Sequence, residues 1–229
     1  MNVPIYGVRR TDTAAHEFDA EGWPDWSGAE ALWLRKIRHE PEDGLPLREA
    51  TEVVALWDPQ FLYLAFTIFD REVWATITVP EARLFVEECV EVFLDPDGDG
   101  HWYVELQVNA LGTVRDLLVD GSIEGPSAAQ FDAMAQWHFC SLRRAVSPLK
   151  GADGTQAGWR LQLAIPWRDL DFCRRQWPPS PGEELRINFY RYERSREGTA
   201  PLELSGWSLL HGSFHQPARF GRFLFRDGD

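Results

Sequence analysis

Apolar and polar residues alternate with a period of two along several stretches of this chain, and no stretch holds a helical period for long. Glu52 to Trp57 runs through the turn-forming pair Asp58-Pro59 into Phe61 to Phe69. There Leu62, Leu64, Phe66 and Ile68 share one face, so the two segments predict a hairpin. Cys89 to Asp95 enters the turn Pro96-Asp97-Gly98-Asp99-Gly100 and returns as His101 to Asn109, a second hairpin. On its returning strand Trp102, Val104, Leu106 and Val108 make an apolar face, and Tyr103, Glu105, Gln107 and Asn109 make a polar one. On the outgoing strand Glu91 and Phe93 oppose Val90, Val92 and Leu94. Further strands are predicted at Thr113 to Val119, Gln136 to Ala145, Gly158 to Ile165, Leu185 to Arg194 and Arg222 to Arg226, with a short helical turn at Trp167 to Leu170. Asp120 to Ala135, rich in Gly, Ser, Ala and acids, reads as a long irregular connection of the kind that often rims a site. The segment before Glu52 carries the weakest periodicity.

The pattern predicts an all-β protein, an antiparallel β-sandwich with short helical turns. No internal repeat or linker divides the chain, so its 229 residues are expected to form one domain. Composition agrees, since 44% hydrophobic and 26% charged residues can build a core and keep its surface wet. Acidic residues outnumber basic ones by 36 to 23, and the resulting charge of −13 repels phosphate backbones and anionic lipid. That balance argues against nucleic acid and membrane surfaces and suits a neutral polyol or a divalent cation. Met1 to Arg10 shows no signal-peptide core, and the uncharged run Pro59 to Phe69 is shorter than the ~20 residues of a membrane span. The chain is therefore expected to be cytoplasmic, or exported with its signal removed. Cys89, Cys140 and Cys173 are too few and too scattered for a disulfide framework and read as small buried hydrophobes.

Aromatic content changes the picture: 11 Trp, 14 Phe and 5 Tyr supply many flat faces of the type that C–H faces of sugar rings lie against. Most of these rings are expected in the core. Sugar hydroxyls also need polar partners, and the face carrying Glu91, Tyr103, Glu105, Gln107 and Asn109 sets acids, amides and an aromatic side by side. Asn188, Tyr190 and Tyr192 extend it if their strand joins the same sheet. Asp95, Asp97, Asp99 and Gly100 imitate the start of a Ca²⁺ loop, but the twelfth position is Leu106, which excludes an EF-hand and leaves a plain acidic hairpin turn or an irregular Ca²⁺ site. His211 and His215 have the spacing of a zinc helix without its glutamate, so a structural role is favoured for both. Glu91 and Glu105 could serve as the acid and base of a glycosidase, but no catalytic motif accompanies them.

In order, Trp57-Asp58-Pro59-Gln60-Phe61-Leu62-Tyr63-Leu64, Val90-Glu91-Val92-Phe93-Leu94-Asp95 and Gln107-Val108-Asn109-Ala110-Leu111-Gly112 resemble the family 9 carbohydrate-binding modules. Trp159, Ala164-Ile165-Pro166-Trp167, Asn188-Phe189-Tyr190-Arg191, Trp207, Phe214-His215 and Phe220-Gly221 continue the resemblance, which spans about residues 15 to 226. It implies a β-sandwich of immunoglobulin or jelly-roll type related to the DOMON sugar- and haem-binding domains. It also implies noncatalytic, lectin-like binding of a neutral mono- or oligosaccharide, and structural Ca²⁺. Carried over by position, the two stacking rings fall on Phe85 and Phe214, where the family has tryptophan. The acid falls on Glu91, the amide on Asn109, Gln107 replaces a basic residue, and His211 marks a further polar contact. The rival readings are a glycan-active enzyme using Glu91 and Glu105, and a haem-binding redox domain for which Met134 is the internal Met ligand candidate.

Overall fold

The computed structural model describes residues 2–11, 23–37, 47–123, 125–173, 175–198, 202–210 and 212–228. The strands are β1 (Ile5–Arg10), β2 (Leu32–Trp33), β3 (Arg35–Lys36), β4 (Thr51–Trp57), β5 (Phe61–Phe69), β6 (Cys89–Asp95) and β7 (Trp102–Val108). They continue with β8 (Val114–Asp120), helix α1 (Ala128–Met134), β9 (Arg143–Lys150), β10 (Gln156–Pro166), β11 (Glu184–Glu193), β12 (Glu203–Gly206) and β13 (Gly221–Arg226).

Strand alternation explains how these elements assemble. One set of alternating residues on β4, β5 and β10 (Val53, Ala55, Leu62, Leu64, Phe66, Leu161 and Leu163 among them) meets its counterpart on β6, β7, β11 and β13 in one core. Burying each such side chain stabilises the fold by roughly 1.5 to 3 kcal/mol. The two halves belong to a single sheet, ordered β8-β7-β6-β11-β13-β1-β4-β5-β10-β9, which curls until one half lies over the other. β1 joins them by pairing in parallel with both β13 and β4, while β6, β7, β8 and β11 pair antiparallel.

The fold is thus all-β, as the alternation predicts, but it is a curled sheet of mixed topology and not a purely antiparallel immunoglobulin-like sandwich. The parallel step comes from β1, in the segment where periodicity is weakest: its Tyr6 and Val8 face the core, and its other four residues stay at least partly exposed. Two other segments depart from expectation. The stretch read as irregular contains α1, whose Ser127 and Gln130 form a reciprocal capping box, the signal that marks a helix start. The strand expected from Gln136 begins only at Arg143. Upstream, the Phe139 and Ser141 amides donate to Asp116 and Asp169 carboxylates instead of a neighbouring strand. The cysteines are all free, with Cys89 and Cys173 buried and Cys140 exposed, contrary to its expected burial. Among the described residues no helix is long and apolar enough to cross a membrane.

Candidate functional site

The register of four strands builds the site. Glu91 on β6 lies opposite Gln107 on β7 and Tyr190 on β11, Phe93 lies opposite Glu105, and Arg115 and Leu117 on β8 lie opposite Gln107 and Glu105. Because Cβ direction alternates, the residues beside these strand partners (Val90, Val92, Leu106 and Phe189) point into the core, and this set points outward. The outward set floors a cleft of about 810 Å³, walled by Phe85, Tyr192, Phe214, His215 and Phe131.

Gln107 is the hub of the floor. Its side-chain amide donates to Glu91 Oε1 at 3.0 Å and to Glu105 Oε1 at 2.6 Å, and its carbonyl accepts from the Leu84 backbone amide at 3.2 Å. Leu84 begins the short 3-10 turn, Leu84–Val86, that carries Phe85, so the residue bridging the two acids also positions one wall of the cleft. Burial, reinforced by the neighbouring Glu105 charge, pushes the Glu91 carboxyl well above the ordinary range. Burial pushes Glu105 up to about 7, with the Gln107 hydrogen bond and Arg115 pulling the other way. His215 is driven down to about 4 by burial and is neutral at pH 7. The Tyr103 hydroxyl lies 3.0 Å from its Nδ1, so donation from Tyr103 leaves Nε2 carrying the proton, 3.6 Å from Glu105 Oε2.

The walls are aromatic. Phe214 stacks on Tyr190 with ring centroids 4.0 Å apart and planes 6° apart, and it meets Phe93 and Tyr192 edge to face. Phe85 packs on Tyr192 with ring centroids 5.9 Å apart. Phe85 and Phe214 therefore both line the cleft, with Tyr192 between them. Phe214 is only 7% exposed and doubles as a core ring, whereas Phe85 keeps a partly open face.

Among the other predicted positions, Asn109 stands apart from the cleft. Its amide donates to the Ile77 carbonyl at 2.8 Å, and its oxygen accepts from the Leu111 and Thr113 amides, which makes it a clasp for the β7–β8 turn. His211 lies outside the described residues. The sequence pattern did not assign Arg115, Phe131 or His215 to the site, because nothing local places α1 or the Phe214 segment over the sheet. Met134, the haem-ligand candidate, packs with the apolar residues around Phe93 and Tyr103.

Among the described residues, three clusters hold carboxylate or imidazole ligand atoms within 4.8 Å of one another: Asp95, Asp97 and Asp99; Asp70, Glu88 and Glu193; and Glu81, Asp116 and His138. In the first, both Asp95 oxygens already accept backbone amides, from Gly98 and Gly100, as a turn residue would. In the second, Asp70 and Glu88 are each 2% exposed, and Asp70 Oδ2 and Glu88 Oε1 accept no hydrogen bond, although Arg191 lies 3.2 Å from the former. That set, like the first, is all oxygen, the donor type a hard divalent cation takes, and it already holds the Arg191 guanidinium, paired with Asp70 and Glu193. The third includes an imidazole, a donor that hard oxygen-seeking cations disfavour.

An aromatic-walled cleft with an acid-and-amide floor, set on the outer face of a curled β-sheet, defines a binding module for a small polar ligand. The model of carbohydrate-binding family 9 matches residues 51–225, and the chain belongs to that family. No curated protein matches the sequence. Among solved structures, the fold is similar to a Bacteroides uniformis protein described as carbohydrate-binding, with 19% identity, a TM-score of 0.71, and coverage of 98% of this chain and 100% of that one. It is also similar to a family 9 module of Caldicellulosiruptor kristjanssonii solved with cellotriose, at 14% identity and a TM-score of 0.64, covering 98% of this chain and 95% of that one. The module solved with glucose gives the same identity and TM-score, with 98% and 97% coverage.

Proposed function

We infer that the protein binds a mono- or oligosaccharide in the Gln107-centred cleft without catalysing a reaction on it. One observation carries the reading: in a chain of a carbohydrate-binding family, half-open and buried rings border a floor of fixed acids and an amide. Rings offer flat apolar faces to a sugar's C–H groups, and carboxylate oxygens accept from its hydroxyls. Similarity of fold to modules solved with cellotriose and glucose adds support. In this reading Phe85 and Phe214 contact the sugar, Glu91 and Glu105 accept from it, and Gln107 holds both acids and the Phe85 turn in place.

Calorimetric titration with glucose and cello-oligosaccharides tests the proposal. Saturable binding that weakens at least tenfold in Phe85→Ala is the expected result. Silence across neutral glycans with a folded protein would remove it.

The acidic clusters can hold a metal, and we propose Ca²⁺ at Asp70, Glu88 and Glu193, where a hard cation would neutralise buried charge and tie β11 to the segments flanking β5 and β6. A rise in melting temperature on adding Ca²⁺, lost in Glu88→Gln, is the outcome that supports this assignment.

A further inference from the structure

The floor of the cleft is built almost wholly of acceptors. Both N–H bonds of the Gln107 amide are taken by Glu91 and Glu105, and its carbonyl is taken by Leu84. Among the described residues, the outer oxygen of Glu91 accepts no hydrogen bond, although it belongs to a side chain lining the cleft. The outer oxygen of Glu105 has only the neutral His215 ring, at 3.6 Å. Two arginines line the cleft: Arg83 donates to Asp132 at 3.3 Å, and Arg115 donates to the Glu81 carbonyl and lies 3.8 Å from the same Asp132, so both guanidiniums are turned to Asp132, with Arg115 still near enough to pull Glu105 down. Two buried carboxylates thus face an aromatic-walled space with no cation of the protein set between them. A hydroxyl brings one donor together with lone pairs that would meet other lone pairs, whereas an ammonium brings three donors, no lone pair and a compensating charge. The half-open face of Phe85 also attracts a cation lying above it, while the neighbouring Tyr192 ring already has the Arg194 guanidinium 5.8 Å from its centroid.

Resting on the sugar-binding reading, we propose that the cleft prefers a sugar bearing a protonated amine, seated between Glu91 and Glu105. In the free protein, burial keeps this acid pair partly protonated near neutral pH, since Glu91 is held well above its ordinary range and Glu105 lies near 7. An entering ammonium takes over the role of that proton, so binding is coupled to proton release.

The test is calorimetry at pH 6 with glucose, glucosamine and N-acetylglucosamine and their β-1,4-linked dimers, repeated in buffers of different ionisation enthalpy. Glucosamine compounds are expected to bind at least tenfold more tightly than the glucose compounds and to release a proton, and acetylation is expected to remove both effects. In folded Glu91→Gln/Glu105→Gln protein, the ratio of amine to neutral affinity should fall toward one. Glucose binding with no gain for the amine overturns the preference and leaves the sugar reading standing. A preference for the amine that persists in the double variant overturns the assignment to these two acids. No binding of any sugar overturns both readings.

Discussion

Two sets of buried carboxylates lie near β6 and β11, Glu91 on β6 with Glu105 on β7, and Glu193 on β11 with Asp70 and Glu88 from the segments after β5 and before β6, and the fold treats them in opposite ways. Glu91 and Glu105 face outward, share one amide donor and open onto an aromatic-walled cleft. Asp70, Glu88 and Glu193 lie around Arg191, whose side chain, by alternation, points away from Tyr190 and Tyr192 and reaches Thr51 and the Phe69 carbonyl in the other half of the sheet. One set is organised for an entering ligand. The other closes the end of the core and sets three acids against one guanidinium. Burial of acid is costly in both places, and the partner that each lacks indicates what each is for.

The comparison breaks most visibly at Phe214, which belongs to cleft and core together. Phe214→Ala removes a ring stacked on Tyr190 and should lower stability by ~3 to 5 kcal/mol, the usual cost of deleting a buried Phe, and weaken sugar binding with it. Denaturant melts and calorimetry on the same sample check both effects; a loss of binding with unchanged stability would separate Phe214 from the core. Ca²⁺ sharpens the contrast next. At a hundred times its dissociation constant it should stabilise the protein by about 2.7 kcal/mol, and Asp70→Asn or Glu88→Gln should remove the gain while Asp97→Asn keeps it. An unchanged response in Glu88→Gln would move the cation elsewhere.

The pH dependence follows from the same acids. Burial and the Glu193 and Asp70 charges raise Glu88 to about 10, burial raises Glu105 to about 7, and burial and Asp97 raise Asp95 to about 7. The folded state therefore binds more protons than the unfolded one above the ordinary carboxylate range, so stability is greatest at low pH within this window and falls as pH rises. His215, lowered to about 4, acts in the opposite sense but only below its ordinary value of 6.5. In metal-free buffer the melting temperature should drop by more than about 4 °C from pH 5 to pH 8, where ~1 kcal/mol corresponds to ~2 to 4 °C in a chain of this size. Glu88→Gln should flatten that slope. Asn109→Ala leaves the Leu111 and Thr113 amides without their acceptor and should cost ~1 to 3 kcal/mol of stability with sugar affinity unchanged. A tenfold loss of affinity would bring Asn109 into the site.

Local alternation was enough to read the cleft floor, because Glu91, Phe93, Tyr103, Glu105 and Gln107 occupy outward positions whatever the strand order. The same rule placed Asn109 on that face, yet it lies just past the last residue of β7, Val108, where the chain turns and its amide serves the turn. The parallel pairing of β1 was not legible, since long-range register leaves no trace in a six-residue strand. Nor was the Asp70, Glu88 and Glu193 cluster, whose members come from three separated segments joined only by Arg191 and the curl of the sheet. Phe85 and Phe214 were placed by family resemblance. Their division into a half-open ring and a core ring depends on Tyr190 and Tyr192 beneath them, which no single segment reveals.

The central claim is that the Gln107-centred cleft holds a sugar, and a crystal structure of the protein soaked with cellotriose, paired with calorimetry on Phe85→Ala, tests it most directly. The account predicts a pyranose ring against Phe85 and Phe214 with a hydroxyl within hydrogen-bond distance of Glu91 or Glu105, and at least tenfold weaker binding in the variant. A sugar bound elsewhere on the sheet, or full affinity retained by Phe85→Ala, would contradict it.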